Sequence, residues 1–292
     1  MQTLLDQMLH KYKIESLKDA KNALKEITQE VILCGLSRAR FFKKAAFHGG
    51  TALRIFYALR RFSEDLDFSL VLADLNFNLS HYLPFVENEL CAIGLNFKAE
   101  PKTNPFNPAI ASAFLTGNLK ENLSLFYPNT RSLKAVHPEE VIKIKIDVDL
   151  NTPGFATFEN KNKFFPSFYQ IKLHDMPTLF AGKLHAVLCR AWKNRIKGRD
   201  LYDYIFYISQ NSAVNMPYLK AKLVNSGFID SNFDLVRTSL INLLNEHFTS
   251  VDIDLAKQDV LPFVTNSNEL KHWNLQFFLD ITKNINPTYP VY

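Results

Sequence analysis

The chain has 292 residues, with 34 Lys+Arg against 29 Asp+Glu for a formal net charge of +5, and 47% hydrophobic against 22% charged residues. That balance supplies a packed core for one large or two modest domains and excludes a disordered chain. The charge permits an anionic partner without requiring one. Three scattered cysteines, Cys34, Cys91 and Cys189, exclude a disulfide scaffold and a zinc-finger module. No apolar run approaches the length of a bilayer span and the N-terminus lacks a signal-peptide pattern, so the expected location is the cytoplasm, with no membrane partner.

In chain order, Ser16 reads as the N-cap of a long amphipathic helix, since Leu17, Ala20, Leu24, Ile27, Val31 and Cys34 recur at helical spacing. The apolar Ala45-Ala46-Phe47 leads into His48-Gly49-Gly50-Thr51, and a second helix follows from Thr51 to about Leu59. Residues 65–70 alternate polar and apolar with period two, as a half-buried strand does. Residues 79–94 read as helix. Residues 95–174 read mostly as strand and loop, with Ala113-Phe114-Leu115, the alternating run at 141–150 and residues 169–173 as strands. From Pro177, a good first helical residue, the remainder is almost wholly helical in pattern. The expected fold class is α+β: a mixed sheet with helices in domain 1–174, then a helical domain in 175–292. With 25 Phe and 11 Tyr against 9 Gly, the core should be filled with aromatic rings.

Three constellations carry possible chemistry. In the first, Asp65 and Asp67 lie two apart on a strand and so project from one face, where they can hold a divalent cation through hard oxygen ligands. The glycine pair Gly49-Gly50 upstream opens a helix, whose N–H groups and positive dipole end suit a phosphate. Carboxylates beside a phosphate cradle are what metal-assisted phosphoryl or nucleotidyl transfer needs. In the second, Ile142, Ile144, Ile146 and Val148 face one way, leaving Lys143, Lys145, Asp147 and Asp149 on the other face. A third carboxylate from this strand can complete a metal site or act as a base, and the pattern leaves Asp147 and Asp149 as alternatives. In the third, Lys183 sits on an otherwise apolar helix, and the run Arg190, Lys193, Arg195, Lys197 and Arg199 leads to Asp200 and Asp203. As the densest basic cluster in the chain, it reads as a solvated loop or, where the acceptor is RNA, as the contact for its phosphates.

The stretch HGGTALRIFYALRRFSEDLDFSL resembles the opening of AbiEii/MenT-type nucleotidyltransferases, a branch of the polymerase-beta-like nucleotidyltransferase fold. The pattern of that family, GG-S/T followed by R-x-S-x-D-h-D with h apolar, is met by Gly49, Gly50, Thr51, Arg61, Ser63, Asp65 and Asp67. The later KLHAVLCRAWKNRIKGRDLYDY is similar to the family's lysine helix followed by K-x-R-D-x-x-D, met by Lys183, Lys197, Arg199, Asp200 and Asp203. The family is best known as the toxin half of type IV or type IV-like toxin–antitoxin pairs in bacteria.

The resemblance implies that Asp65, Asp67 and Asp147 bind Mg²⁺, with Mn²⁺ as an alternative. It implies that Gly49, Gly50, Thr51, Arg61, Ser63 and Lys183 form the nucleotide site, and that Asp65, Asp67, Asp147, Lys183 and Asp200 are the catalytic set. The implied partners are an NTP, tRNA or another RNA as acceptor, and a cognate antitoxin. The implied reaction transfers NMP to the 3′ end of tRNA and blocks translation. The competing readings are the same chemistry on a small-molecule or protein acceptor and a catalytically silent nucleotide-binding module.

Overall fold

The computed structural model of the chain describes residues 4–102, 107–126, 131–190 and 197–290. After a short helix α1 (Leu4–Leu9), the 22-residue α2 (Leu17–Arg38) begins where the sequence predicts. Ser16 Oγ accepts from the Asp19 N–H at 3.1 Å while Asp19 Oδ2 accepts from the Ser16 N–H at 3.0 Å, a reciprocal cap that satisfies two otherwise orphaned donors. Helix α4 (Leu83–Ala92) crosses α2 at Gly35, where a Cβ would lie 2.9 Å from the Val86 Cα. Only a glycine permits that approach.

Seven strands, β1 (Ala45–His48), β2 (Leu66–Leu70), β3 (Lys98–Lys102), β4 (Ile110–Asn118), β5 (Val141–Asp149), β6 (Phe158–Lys163) and β7 (Tyr169–His174), form one mixed sheet in the order β3-β4-β5-β2-β1-β7-β6. β1 runs parallel to β7 and β2 parallel to β5, whereas β3, β4 and β5 pair antiparallel. β1 is apolar up to His48, whereas β2 alternates, with Leu66, Phe68 and Leu70 in the core. Phe68 of β2 meets Phe41 edge-on at 5.0 Å and Phe47 at 5.0 Å, part of the aromatic filling that the composition predicts.

The second half holds α6 (Met176–Cys189), α7 (Gly198–Ser209), α8 (Met216–Asn225), α9 (Arg237–Ser250), α10 (Ile253–Val260) and α11 (Leu275–Thr282). Asp175 caps α6 by accepting from the Thr178 N–H, with Pro177 in its first turn. The core of these helices is again aromatic: Phe180 stacks on Tyr207 at 4.6 Å, and Phe248 lies against Tyr204 and Phe278.

Four elements depart from the expected pattern. A helix, α5 (Leu119–Phe126), interrupts the region read as strand and loop; it starts where the Asn118 side chain accepts from the Glu121 N–H. Within the half read as helical, β8 (Ala213–Asn215) and β9 (Asn286–Thr288) form a small parallel ladder. The helix expected from Thr51 begins two residues earlier, as α3 (Gly49–Tyr57).

The chain divides into two compact units. The first comprises Met1–Phe47, Glu64–Thr152 and Asn160–Leu173 and contains most of the sheet; the second comprises His48–Ser63, Pro153–Glu159 and His174–Tyr292. The expected boundary at 174/175 falls beside the break at Leu173, but α3 belongs with the C-terminal helices. The reason is apolar packing by the helix and the chain just after it: Leu53 and Leu59 are buried in the same cluster as Leu179, Phe180 and Leu184.

Candidate active site

The first unit supplies carboxylates. Parallel pairing of β2 with β5 sets Asp67 opposite Asp147 and Ser69 opposite Asp149. Leu66 and Phe68 turn into the core, which leaves half-buried Asp67 on the other face, with exposed Asp65 just before the strand. Ser112, the antiparallel partner of Asp147 on β4, donates its Oγ–H to Asp147 Oδ1 at 2.7 Å. Lys145, two residues earlier on the same strand face, donates to Asp147 Oδ2. Asp147 is thus held from two sides, whereas Asp149 accepts from the Asn151 N–H at the strand end.

These groups fit magnesium by their chemistry: Asp65, Asp67 and Asp147 are all-oxygen, anionic donors. Among the described residues no cluster of three or more His, Cys, Asp or Glu side chains forms a metal cage. Magnesium does not ask for one, since it is commonly held by one or two carboxylates together with substrate phosphates and water.

The second unit supplies the glycine turn and a buried charge network. Gly49 has φ +80°, a left-handed conformation that side chains rarely adopt, and it opens α3. A Cβ on Gly50 would lie 2.5 Å from Arg61 Nη2 and 2.9 Å from Ser63 Oγ, so the turn rests directly on these two side chains. His48 caps α3 without a side-chain hydrogen bond, and Thr51 is fully buried in the first turn.

Arg61, only 3% exposed, sends Nε and Nη2 to the two oxygens of Asp203, each at 2.6 Å, and Nη1 to the Phe62 carbonyl at 3.0 Å. Lys183 on α6 bridges Asp200 Oδ1 at 2.7 Å and Asp203 Oδ2 at 2.8 Å. Arg190, at the end of α6, donates to Asp200 Oδ2 at 2.6 Å. Burial disfavours ionisation of Asp200, yet the charges of Lys183 and Arg190 outweigh it and hold its pKa at about 2. Burial likewise opposes ionisation of Asp203, and Arg61 and Lys183 pull it below the usual range. Three cations on two carboxylates leave this network with one net positive charge under the glycine turn.

The structure therefore collects the predicted residues in two sets: Asp67 and Asp147, with Asp65 adjoining, in the first unit, and Gly49, Gly50, Thr51, Arg61, Ser63, Lys183 and Asp200 in the second. Arg61 is spent on holding Asp203 and underpinning Gly50, and Lys183 uses two of its three donors on carboxylates. In the basic run, Lys193 and Arg195 lie outside the described residues. Arg190 is turned to Asp200, Arg199 lies over the Phe263 ring at 4.3 Å, and Lys197 is half-buried at the start of α7. Among the described members, the run is tied into the fold rather than spread as one open patch. Sequence reasoning missed Ser112 and gave Asp203 too small a place. The i, i+3 spacing of Asp200 and Asp203 was a usable signal for the latter; nothing in the sequence marked Ser112.

The family described as the nucleotidyl transferase AbiEii toxin of type IV toxin–antitoxin systems matches residues 31–266. The chain belongs to this family. As an AbiEii-family protein it is a nucleotidyltransferase, and the match spans both sets of residues. Its fold is similar to that of MenT4, a nucleotidyltransferase toxin from Mycobacterium tuberculosis, with TM-score 0.56 and 15% identity over 97% of this chain and 89% of that one. It is also similar to JHP933 from Helicobacter pylori, with TM-score 0.50 and 16% identity over 92% of each chain. At these identities the likeness speaks to the fold. No curated protein sequence matches significantly. Among the described residues no helix is long and apolar enough to cross a membrane.

Proposed function

We propose that this AbiEii-family chain acts in the cytoplasm and transfers a nucleoside monophosphate from an NTP to the 3′ end of tRNA, with Mg²⁺ or Mn²⁺ bound by Asp65, Asp67 and Asp147. The observation that carries this reading is the register that sets Asp67 opposite Asp147, with Ser112 fixing the latter. The hydroxyl oxygen of the acceptor forms a bond to the α-phosphorus, the bond to the β-phosphate oxygen breaks, and pyrophosphate leaves. The bound cation would supply charge neutralisation on the triphosphate. Asp147, oriented by Ser112, is the carboxylate that receives the proton shed by the hydroxyl. The N-terminal amides of α3 at Gly49 to Thr51 hold phosphate oxygens, reinforced by the helix dipole. The net positive network of Arg61, Lys183 and Arg190 favours the anionic triphosphate over the uncharged acceptor hydroxyl. A tRNA whose 3′ end carries the added nucleotide can no longer be aminoacylated, which blocks translation, and a cognate antitoxin keeps that outcome in check.

The test incubates the full chain with each α-labelled NTP, Mg²⁺ and total cellular RNA, then separates RNA from protein and small molecules. Label in the tRNA band that disappears in Asp67→Asn supports the reading. Label in protein or in small molecules alone overturns the tRNA assignment, and label in no fraction overturns the transfer reaction.

A further inference from the structure

Helix α7 has a second face. Tyr202, Ile205, Phe206 and Ser209 recur at intervals of three and four, on the side of the helix away from Asp200 and Asp203. With the end of α3 they line a cavity of about 450 Å³, within the size range of small-molecule sites. Its rings are those of Tyr57, Tyr202, Phe206 and Trp273, and its charged groups are Arg60 and Glu269. All of these residues lie in the second unit, and none belongs to the transfer site described above.

The polar groups here are arranged to receive something. The Tyr202 hydroxyl donates to Glu269 Oε2 at 2.5 Å, and burial together with that carboxylate pushes the phenol well up, so it stays a donor. Glu269 Oε1 faces Arg60 Nη1 at 3.5 Å, the outer limit of a hydrogen bond, and the Arg60 side chain is 77% exposed. So loose a pairing yields readily to a planar group that offers Glu269 a better donor and Arg60 a better acceptor. The aromatic side chains in the lining favour a ring, and the carboxylate beside a guanidinium selects an edge that donates and then accepts. Guanine has that edge: N1–H and the N2 amino group donate, while O6 and N7 accept from a guanidinium. Adenine places a ring acceptor beside its amino group, which a carboxylate repels, and uracil flanks its single N–H with two carbonyls.

We propose that this cavity binds a guanine ring, stacked on its aromatic walls, with Glu269 accepting from N1–H and N2–H and Arg60 donating to O6 and N7. Stacking on aromatic side chains is a common contribution to base binding. The ring can arrive as free GMP or as an unstacked guanine in single-stranded RNA. The inference does not depend on the transfer reaction proposed above.

The experiment is calorimetric titration of the full chain with GMP, AMP, CMP and UMP, in EDTA so that metal-dependent binding at the transfer site is silent. The expected result is that GMP binds at least about tenfold more tightly than AMP or UMP, the discrimination one good two-bond base contact provides. Arg60→Gln and Glu269→Gln should each weaken GMP by at least about tenfold. Arg60 is a surface residue, so its variant decides the matter should Glu269→Gln fail to fold. Equal affinity for the four nucleotides, no binding of GMP, or unchanged GMP binding in Arg60→Gln overturns the assignment. A short oligouridine carrying one guanine is then added to the GMP complex. Displacement identifies RNA as a source of the ring, whereas no displacement identifies the free nucleotide; both outcomes follow only once GMP selectivity is in hand.

Discussion

On the proposed reaction Asp147 must keep one orientation, which Ser112 and Lys145 hold through its two oxygens. Ser112→Ala removes one donor and leaves the strand intact, so we expect about 10- to 100-fold lower activity or metal affinity, read as label transfer across a Mg²⁺ titration. Asp67→Asn should abolish transfer while the far-ultraviolet circular dichroism stays unchanged, since the side chain is outside the core. Arg61 is different in kind. Arg61→Ala removes both guanidinium bonds to the buried Asp203 and leaves it Lys183 alone, and the expected loss is about 3 kcal/mol in urea denaturation. Arg61→Lys should not rescue it, because an ammonium cannot span both oxygens as the planar fork does. The pH dependence has two windows. Asp200, held at about 2 against its usual 3.8, gives about 2 kcal/mol of stability that is full above pH 4 and is lost as pH falls toward 2. His185 and His247 are pushed down to about 4, chiefly by burial, so the unfolded chain takes up their protons first and stability falls between pH 6.5 and 4. A chemical-denaturation series across pH should show both slopes, and His185→Leu should flatten the upper one. None of these burial effects was legible beforehand. The residue types at Asp65, Asp67, Lys183 and Asp200 pointed to chemistry, but that Arg61 and Lys183 are consumed by two carboxylates depends on how α6 and α7 pack.

At the scale of elements, local pattern and observed structure agree where burial is one-sided and the period is long or strict. The α2 stripe with its Ser16 cap, and the four-fold alternation through β5, could be read directly. They diverge for α5, β8 and β9, which are too short for a period to declare itself. The register of β2 against β5 was equally hidden, because parallel strands are joined by distant chain and no turn fixes their offset. It is this register that sets Asp147, and not Asp149, opposite Asp67. The turn at Gly49-Gly50 is a further test of element-level reasoning. Gly49→Ala must place a Cβ at φ +80°, at a cost of about 1–2 kcal/mol. Gly50→Ala must push against Arg61, which is clamped at both ends of its fork and cannot step aside. Both variants should bind NTP more weakly, measured by calorimetry, and Gly50→Ala should also lower the urea midpoint.

At the scale of the molecule, the two units are interleaved along the chain, which leaves the first for His48–Ser63 and again for Pro153–Glu159 before its last segment is complete. A cut at 174/175, natural as it looks on the sequence, would separate Leu53 and Leu59 from the core they fill. We expect residues 1–174 expressed alone to be insoluble or to give collapsed amide NMR dispersion, and a soluble, well-dispersed 1–174 would refute this. The same interleaving sets a timetable for synthesis. Phe47 of β1 pairs with Leu173 of β7, which leaves the ribosome about 126 residues later, roughly 6–25 s at ordinary elongation rates. Until then the middle of the sheet lacks a neighbour, and Asp200 and its partners have yet to be made. On the proposed reaction, a message cut short before residue 183 yields a chain that has Asp65, Asp67 and Asp147 but neither Lys183 nor Asp200, and such a chain should transfer no label.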